Sequence, residues 1–445
     1  MGKMNKILLT ACALCATAIS TFAADWYVSA GTGKKKNAGN TPDAPLKAIW
    51  NALEKAAPGD TIHVAQGNYH GKTSCGWIMI DKPVSIIGGY ADDFKTRDIT
   101  KFPTMLKPTN EMNQTKPKMD GGTVSFAMWA SANQADALKG KDTVIDGLYI
   151  DQGDANSYHA TKGKPEGVAT GMYLTPPAKG NTTYASINSA EMKGKTTGNL
   201  TIKNCVFLNA SNYAIQISHH EGDVKILNNL FINSRMQACD ILCTKNQNGA
   251  VKFEFANNTA LFTWSRTDEM TDMGFAVRCN AKVDANIHHN ILGLSVLYGF
   301  DNSKGDDKTK KVKLDNNVFF LNKKGDAAVT ISPNIKPFFV TDDAWEDFED
   351  CTGMESVEKN ISLKDPAVFK GIIDQAYLAG FLSATYTEKT SYDPNSPANV
   401  FRSALGMNKV GSIQSKVSMF ANRYPDENVL KFFGAMPQYG AQAVK

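Results

Sequence analysis

The chain has 445 residues, 42% of them hydrophobic and 21% charged, enough for one long domain or two to three ordinary ones. Lys and Arg number 48 against 44 Asp and Glu. That balance is too even to point to nucleic acid as a partner. Beyond the N-terminus no apolar run reaches the ~20 residues needed to cross a bilayer, so no transmembrane segment is expected.

In chain order, residues 1–24 read as a signal peptide. Lys3 and Lys6 form a basic start, Ile7 to Ile19 an apolar core, and Thr21-Phe22-Ala23 a small-residue exit. Cleavage is expected near Ala23 or Ala24. Leu9-Thr10-Ala11-Cys12 also resembles a lipoprotein processing box, which makes a lipid anchor the alternative. Either way the destination is outside the cytoplasm, in the periplasm, at the cell surface or in the medium. Cleavage takes away Lys3 and Lys6 and no acid, leaving a formal charge of +2. It also takes Cys12 and Cys15. The remaining Cys75, Cys205, Cys239, Cys243, Cys279 and Cys351 match no zinc spacing, and several sit among apolar strand residues. Buried free thiols are expected in preference to disulfides.

Residues 25–59 read as a strand followed by a helix. Leu46, Ile49, Trp50, Leu53 and Ala56 recur at helical spacing, and Pro58-Gly59-Asp60 ends the run. A repeat then takes over. Asn204, Asn228, Asn257, His289 and Asn316 each stand between an alternating strand and a second short apolar strand, at intervals of 24, 29, 32 and 27 residues. Asp146 is an earlier member of the series. Strands with period 2 bury one face, and one coil cannot close a core alone, so coils must stack about 4.8 Å apart. A polar residue recurring at the corner can bond up and down such a stack, and these five positions are expected to form that ladder. The reading is an all-β, right-handed parallel β-helix of about eight coils over residues 60–333. The helix would cap its open end, and residues 334–445 would form an irregular C-terminal cap.

The entry to the coils carries a resemblance. Trp26-Tyr-Val-Ser-Ala-Gly-Thr-Gly, then Asn37-Ala-Gly-Asn-Thr-Pro-Asp-Ala-Pro, then Pro58-Gly-Asp-Thr-Ile-His-Val-Ala-Gln-Gly-Asn-Tyr resemble the opening of secreted bacterial β-helix proteins of the pectate-lyase-like superfamily. The likeness covers residues 26–90 well and the coils by pattern. It implies the fold, and it implies a polysaccharide lying along the third strands of successive coils. It does not choose among lyases, hydrolases, esterases and non-catalytic surface proteins.

Third strands are expected at Gly171–Thr175, Ala214–Ser218, Cys239–Thr244, Gly274–Cys279 and Ala327–Ser332. Long insertions at 151–170, 176–197 and 264–273 would border them as a cleft. With Ile215, Ile217, Cys239, Ile241, Phe275 and Val277 inward, alternation turns Gln216, Ser218, Asp240 and Arg278 outward. The candidate catalytic residues are then Asp240, Arg278, Arg266 and His220, the second of the pair His219-His220. Trp264 as a sugar platform, Arg235, Gln216 and Asp268 are the candidate substrate contacts. An ion pair of Arg278 with Asp240 is the plain alternative for those two. The acidic run 342–350 is a solvated helical face or, alternatively, a Ca²⁺ site. Lys308, Lys310, Lys311 and Lys313 read as a solvated edge. Neither the calcium-binding acidic clusters of pectate lyases nor the paired Asp and Gly-His-Gly signatures of β-helix polygalacturonases are present. The expectation is a monomeric protein that binds or processes polysaccharide, by lyase-type chemistry if it is catalytic, with a non-catalytic envelope or adhesin-like protein as the alternative.

Overall fold

Period-2 segments such as Asn199–Lys203 and Asp223–Leu227 form strands because alternate side chains can enter a shared interior while the others stay in water. The computed structural model describes residues 23–69, 77–80, 82–106, 125–128, 141–151, 186–188, 197–210, 213–234, 236–243, 251–264, 274–331, 334–340, 353–383 and 423–444. Their strands stack into three long parallel sheets of ten, nine and nine members. Each chain passage visits the first sheet, then the second, then the third, so the architecture is a parallel β-helix. Its hand is right, as for nearly all crossovers between parallel strands.

The interior is built of columns that climb the stack in register. In the first sheet Ile86, Ile145, Ile202, Ile226, Phe255, Ile287 and Leu314 lie one above another. In the second, Ile150, Phe207, Phe231, Ala260, Leu292 and Phe319 do the same, with the Phe207 and Phe231 rings stacked 4.9 Å apart. Each large apolar side chain so buried contributes roughly 1.5–3 kcal/mol against exposure.

Eight strands of the first sheet fall between residues 60 and 333, and one more rung is added at each end. Asp25–Val28 pairs with Thr61–Ala65, and Met354–Ser356 pairs with Val312–Asp315. The parallel stack therefore starts ahead of Asp60 and runs past residue 333. The helix forms over Ile49–Lys55 and buries Ile49, Ala52 and Leu53 over the first coil. At the far end of the third sheet, Asn334–Phe338 turns back antiparallel on Gly325–Ile331 and occupies the edge that would otherwise offer free N–H and C=O groups.

The polar corner ladder exists at the expected positions in its lower rungs, where Asn204 Nδ2 donates to Asp146 Oδ1 and Asn228 Nδ2 to Asn204 Oδ1, both at 2.8 Å, and a longer ladder runs one residue later. Asn204, Asn228, Asn257, His289 and Asn316 all adopt left-handed backbone, φ 53–57°, and turn the chain from the first sheet to the second. The longer ladder is made by the residues that follow them. Asn258 donates from its backbone N to Asn290 Oδ1 (2.8 Å) and from Nδ2 to Ile226 O (2.8 Å). Asn229, Asn290 and Asn317 repeat the pattern, Cys205 receives its lower end, and Asn360 supplies its upper end. Asn229, Asn258, Asn290 and Asn317 are fully buried, so each amide satisfies backbone groups that water cannot reach. Asn-Asn at a corner does two jobs. The first residue tolerates positive φ and in the lower rungs also bonds to its neighbour, and the second bonds along the whole stack.

Beyond the strands that close the end of the stack, the described part of 334–445 also covers its flank. Phe369, Tyr377, Phe381, Tyr424, Val429 and Phe432 lie against the outer face of the second sheet, in a second apolar cluster with Leu208, Ile232, Leu261 and Phe320. Tyr424 N donates to Asn209 Oδ1 (2.7 Å), Gln442 N to Asn228 Oδ1 (2.6 Å) and Gly440 N to His289 O (2.8 Å). The tail runs along the rod and ties several coils together. Gly440 sits at φ 69° with a Cβ's place taken by Thr259 and Ile291, so only glycine lets the tail lie this close.

Candidate functional site

Four adjacent strands of the third sheet carry the polar row. Tyr213–His219, Gln237–Cys243, Phe275–Cys279 and Tyr298–Ser303 pair in parallel. Their register sets Gln216 beside Asp240, Asp240 beside Arg278, and Arg278 beside Asp301. Ile215, Cys239, Val277 and Phe300, the residues just before them, pack inside the coil, so the four polar side chains share the outer face.

The geometry within the row is tight. Arg278 Nε donates to Asp301 Oδ2 at 2.6 Å, and Thr330 Oγ1 donates to Asp301 Oδ1 at 2.6 Å. The Arg278 guanidinium lies 4.5 Å from the centre of the Phe275 ring, which is stacked in turn on Tyr298. Asp240 accepts from Asn280 Nδ2 at 2.7 Å and from the Gln216 side chain. Burial pushes the Asp240 carboxyl up to about 6, against the opposing pull of Arg278, Gln216 and Asn280, with Asp301 adding to the rise. Asp301 is fully buried, while Asp240 and Gln216 are each 7% exposed. The row can therefore exchange a proton near neutral pH at one point and hold a fixed positive charge beside it.

Of the residues expected at a site, the structure brings together Gln216, Asp240 and Arg278. Arg278 pairs with Asp301 through its Nε, with Asp301 fully buried and Arg278 partly exposed, in place of the exposed Arg278–Asp240 pair considered from sequence. His220 stands four residues past Gln216, about 13 Å along the strand, outside the row. Its neighbour His219 is buried, and burial pulls the imidazole down to about 4, with His220 adding to the fall. Trp264 is not a sugar platform. It is fully buried in the second cluster, donates from Nε1 to Asn233 Oδ1 at 2.8 Å, and meets Phe381 edge-on at 4.9 Å. Phe275, expected inside the coil, belongs to this second cluster as well. Arg235, Arg266 and Asp268 lie outside the described residues, as do the acidic run 342–350 and most of the three insertions. Among the described residues no group of three or more His, Cys, Asp or Glu gathers as a metal site.

Two residues important to the site were not singled out in the sequence. Asp301 lies in a strand that reads as an apolar continuation of Ile291–Ser295, and the turn between them is only two residues long. The 27-residue interval from His289 to Asn316 was the available signal, because a full coil of that length needs a third strand near residue 300. Lys310 is the other. Within a lysine-rich run it is 2% exposed, and its Nζ reaches Asn302 Oδ1 (2.6 Å), Ser303 O (2.6 Å) and Cys279 O (3.1 Å). Desolvation lowers its pKa, and the neighbouring Cys279, Asp301, Asp307 and Asp284 oppose that. It clamps the strand ends beside the row rather than lining a solvated edge. Cys205, Cys239 and Cys279 are buried free thiols, as expected, and burial pushes the Cys205 and Cys279 thiols up to about 12.

No family model and no curated protein matches the sequence. Among solved structures, the pectate lyase Pel9A is similar over 95% of this chain and 96% of its own, at 12% identity and a TM-score of 0.41. A GH136 lacto-N-biosidase from Eubacterium ramulus is similar over 76% of this chain and 68% of its own, at 10% identity and a TM-score of 0.29. At these scores the fold rests on the chain's own geometry, and its three stacked sheets make it a parallel β-helix.

Proposed function

We propose that this protein binds and processes a polysaccharide along the outer face of its third sheet, with Asp240 moving the proton and Arg278 neutralising charge. The observation that carries the reading is the row itself. Gln216, Asp240, Arg278 and Asp301 occupy one register column on four successive coils. The charged column on the outer face of the first sheet is open to water, whereas this one sets a buried carboxyl, raised to about 6, beside a guanidinium. Removal of the proton next to a uronate carboxylate needs those two elements, a base of near-neutral pKa and a cation close by. Lyase-type chemistry is the form that fits best.

The test is to incubate the secreted protein with acidic and neutral polysaccharides, with and without Ca²⁺. The expected result is the ultraviolet absorbance of unsaturated uronate ends, lost in Asp240→Asn while binding is kept. New reducing ends without that absorbance would move the chemistry to hydrolysis. Neither binding nor cleavage across the panel would overturn the reading. A second reading, a non-catalytic rod, draws on one observation: Asp301 is fully buried and both of its oxygens are already bonded. Under it, Asp240→Asn leaves polysaccharide binding and every cleavage assay unchanged.

A further inference from the structure

The first rung of the stack ends on a buried carboxylate. Ala24 is the residue at which the pairing of Asp25–Val28 with Thr61–Ala65 runs out: its carbonyl accepts from Thr61 N at 2.9 Å. Its own nitrogen lies 2.8 Å from Asp60 Oδ1. Ala23, one residue earlier, is exposed. Asp60 is 4% exposed, and its Oδ2 accepts from Trp26 Nε1 at 2.9 Å and Ala57 N at 2.8 Å. Burial by itself would raise this carboxyl, and the hydrogen bonds from Trp26, Ala24 and Ala57, helped by Lys82, bring it below its ordinary range. Asp60 is thus an anion in a shielded place, and the N–H groups of Trp26, Ala24 and Ala57 are neutral donors. Lys82 directs its Nζ to the carbonyls of Leu53 and Ala56. A buried anion is costly unless it is paired at close range, and a cation at the position of Ala24 N would place a charge in direct hydrogen-bond contact with it.

We propose that the chain is cut between Ala23 and Ala24, and that the α-ammonium group released there docks on the carboxylate of Asp60. The proposal rests on residues 1–23 acting as an export leader and is independent of the polysaccharide reading. In the step, a leader peptidase adds water across the Ala23–Ala24 amide. The C–N bond breaks, Ala23 leaves as a carboxylate on the leader, and the Ala24 nitrogen takes up protons to become an ammonium. A cut after Ala24 would remove both the nitrogen on Asp60 and the carbonyl on Thr61. Processing at Cys12 would leave residues 12–23 in place and keep a neutral amide at this position. Only the cut after Ala23 keeps every bond of the first rung and adds a charge to one of them.

The wild-type protein, purified after export, decides the site of the cut. N-terminal sequencing and intact mass are expected to start at Ala24, and a first residue of Cys12 or Asp25 would overturn the proposal. Docking is decided by measuring the cost of Asp60→Asn in two backgrounds, the chain beginning at Ala24 and a chain with three residues added ahead of it. The folding equilibrium constant is expected to fall about ten-fold further in the first background, since there the substitution also removes the ion pair between ammonium and carboxylate. An equal fall in both overturns docking. Should Asp60→Asn not fold, the pH dependence of acylation of the wild-type α-amine answers the same question. A docked ammonium titrates above the ordinary value of about 8, and an ordinary value overturns the docking.

Discussion

The second and third sheets are built from the same coils and differ in what covers their outer faces. Strands of the second sheet, such as Leu230–Ser234 and Ile291–Ser295, are buried along their whole length because the C-terminal segment lies on them. Their sequences accordingly open on unbroken apolar runs, Leu-Phe-Ile and Ile-Leu-Gly-Leu, before a buried polar end. The third sheet keeps an apolar inner face and turns a row of amide and charged side chains outward. Two faces of one solenoid thus serve different ends. One is a core extended by the tail, and the other is a polar track held in register by that core.

The largest blow to this contrast should come from Trp264→Ala, which opens a cavity between the second sheet and the tail. A loss of about 3–5 kcal/mol is expected for a fully buried aromatic, read by denaturant unfolding. Proteolysis should at the same time begin in the C-terminal segment; cleavage first in the coils would mean that the tail is not held by this cluster. Next in size is the corner. Asn258→Ala strips acceptors from Asn229 and a donor from Ile226 O, at a cost on the order of 3 kcal/mol. Asn257→Gly, one residue earlier, relaxes a left-handed backbone and should be close to neutral. Equal costs at the two positions would erase the division of labour between them.

The third sheet answers to pH. Asp240 has a raised folded-state pKa, so its contribution to stability is full below pH 4 and is lost as pH rises toward about 6. Buried His219, pulled down to about 4, works in the opposite sense over the same range, so the measurement is the stability of the wild type minus that of Asp240→Asn, in which the histidine cancels. That difference should decline from pH 4 to 7 by at most about 3 kcal/mol, leaving the variant as stable as wild type or more so at pH 7. A difference that is level from pH 4 to 7 would show that Asp240 ionises normally. Smallest of all is the first sheet, whose outer face holds Lys225, Lys252, Glu254 and Lys313 along an open, mixed-charge groove of about 490 Å³. Lys225→Ala should change stability by no more than ~0.5 kcal/mol, and a larger effect would mark that groove as more than a solvated ladder.

Much of this was legible in the residues. Alternation marked the first sheet, and the spacing of the Asn and His corners gave the coil, because a stacked core forces the same pattern on each passage. What could not be read was anything decided across the rod's flank. Trp264 looked like a loop aromatic because its partners, Tyr377 and Phe381, come more than 100 residues later. Lys310 looked solvated beside Lys308 and Lys311 because its burial depends on the carbonyls of Cys279 and Ser303 rather than on its neighbours in sequence. Asp240 and Arg278 were found by alternation, a local property. Asp301 was missed because a two-residue corner leaves no mark in composition.

The tail along the second sheet also sets a schedule. Residues 369–381 and 424–441 leave the ribosome well after the coils whose strands they cover. Until they arrive, the outer faces of Leu230–Ser234, Thr259–Thr263 and Ile291–Ser295 are bare apolar stripes. A growing chain can therefore stack its coils one by one but cannot finish this face until residues 369–441 are in place, so a product cut short before them is betrayed by stickiness rather than by a missing fold.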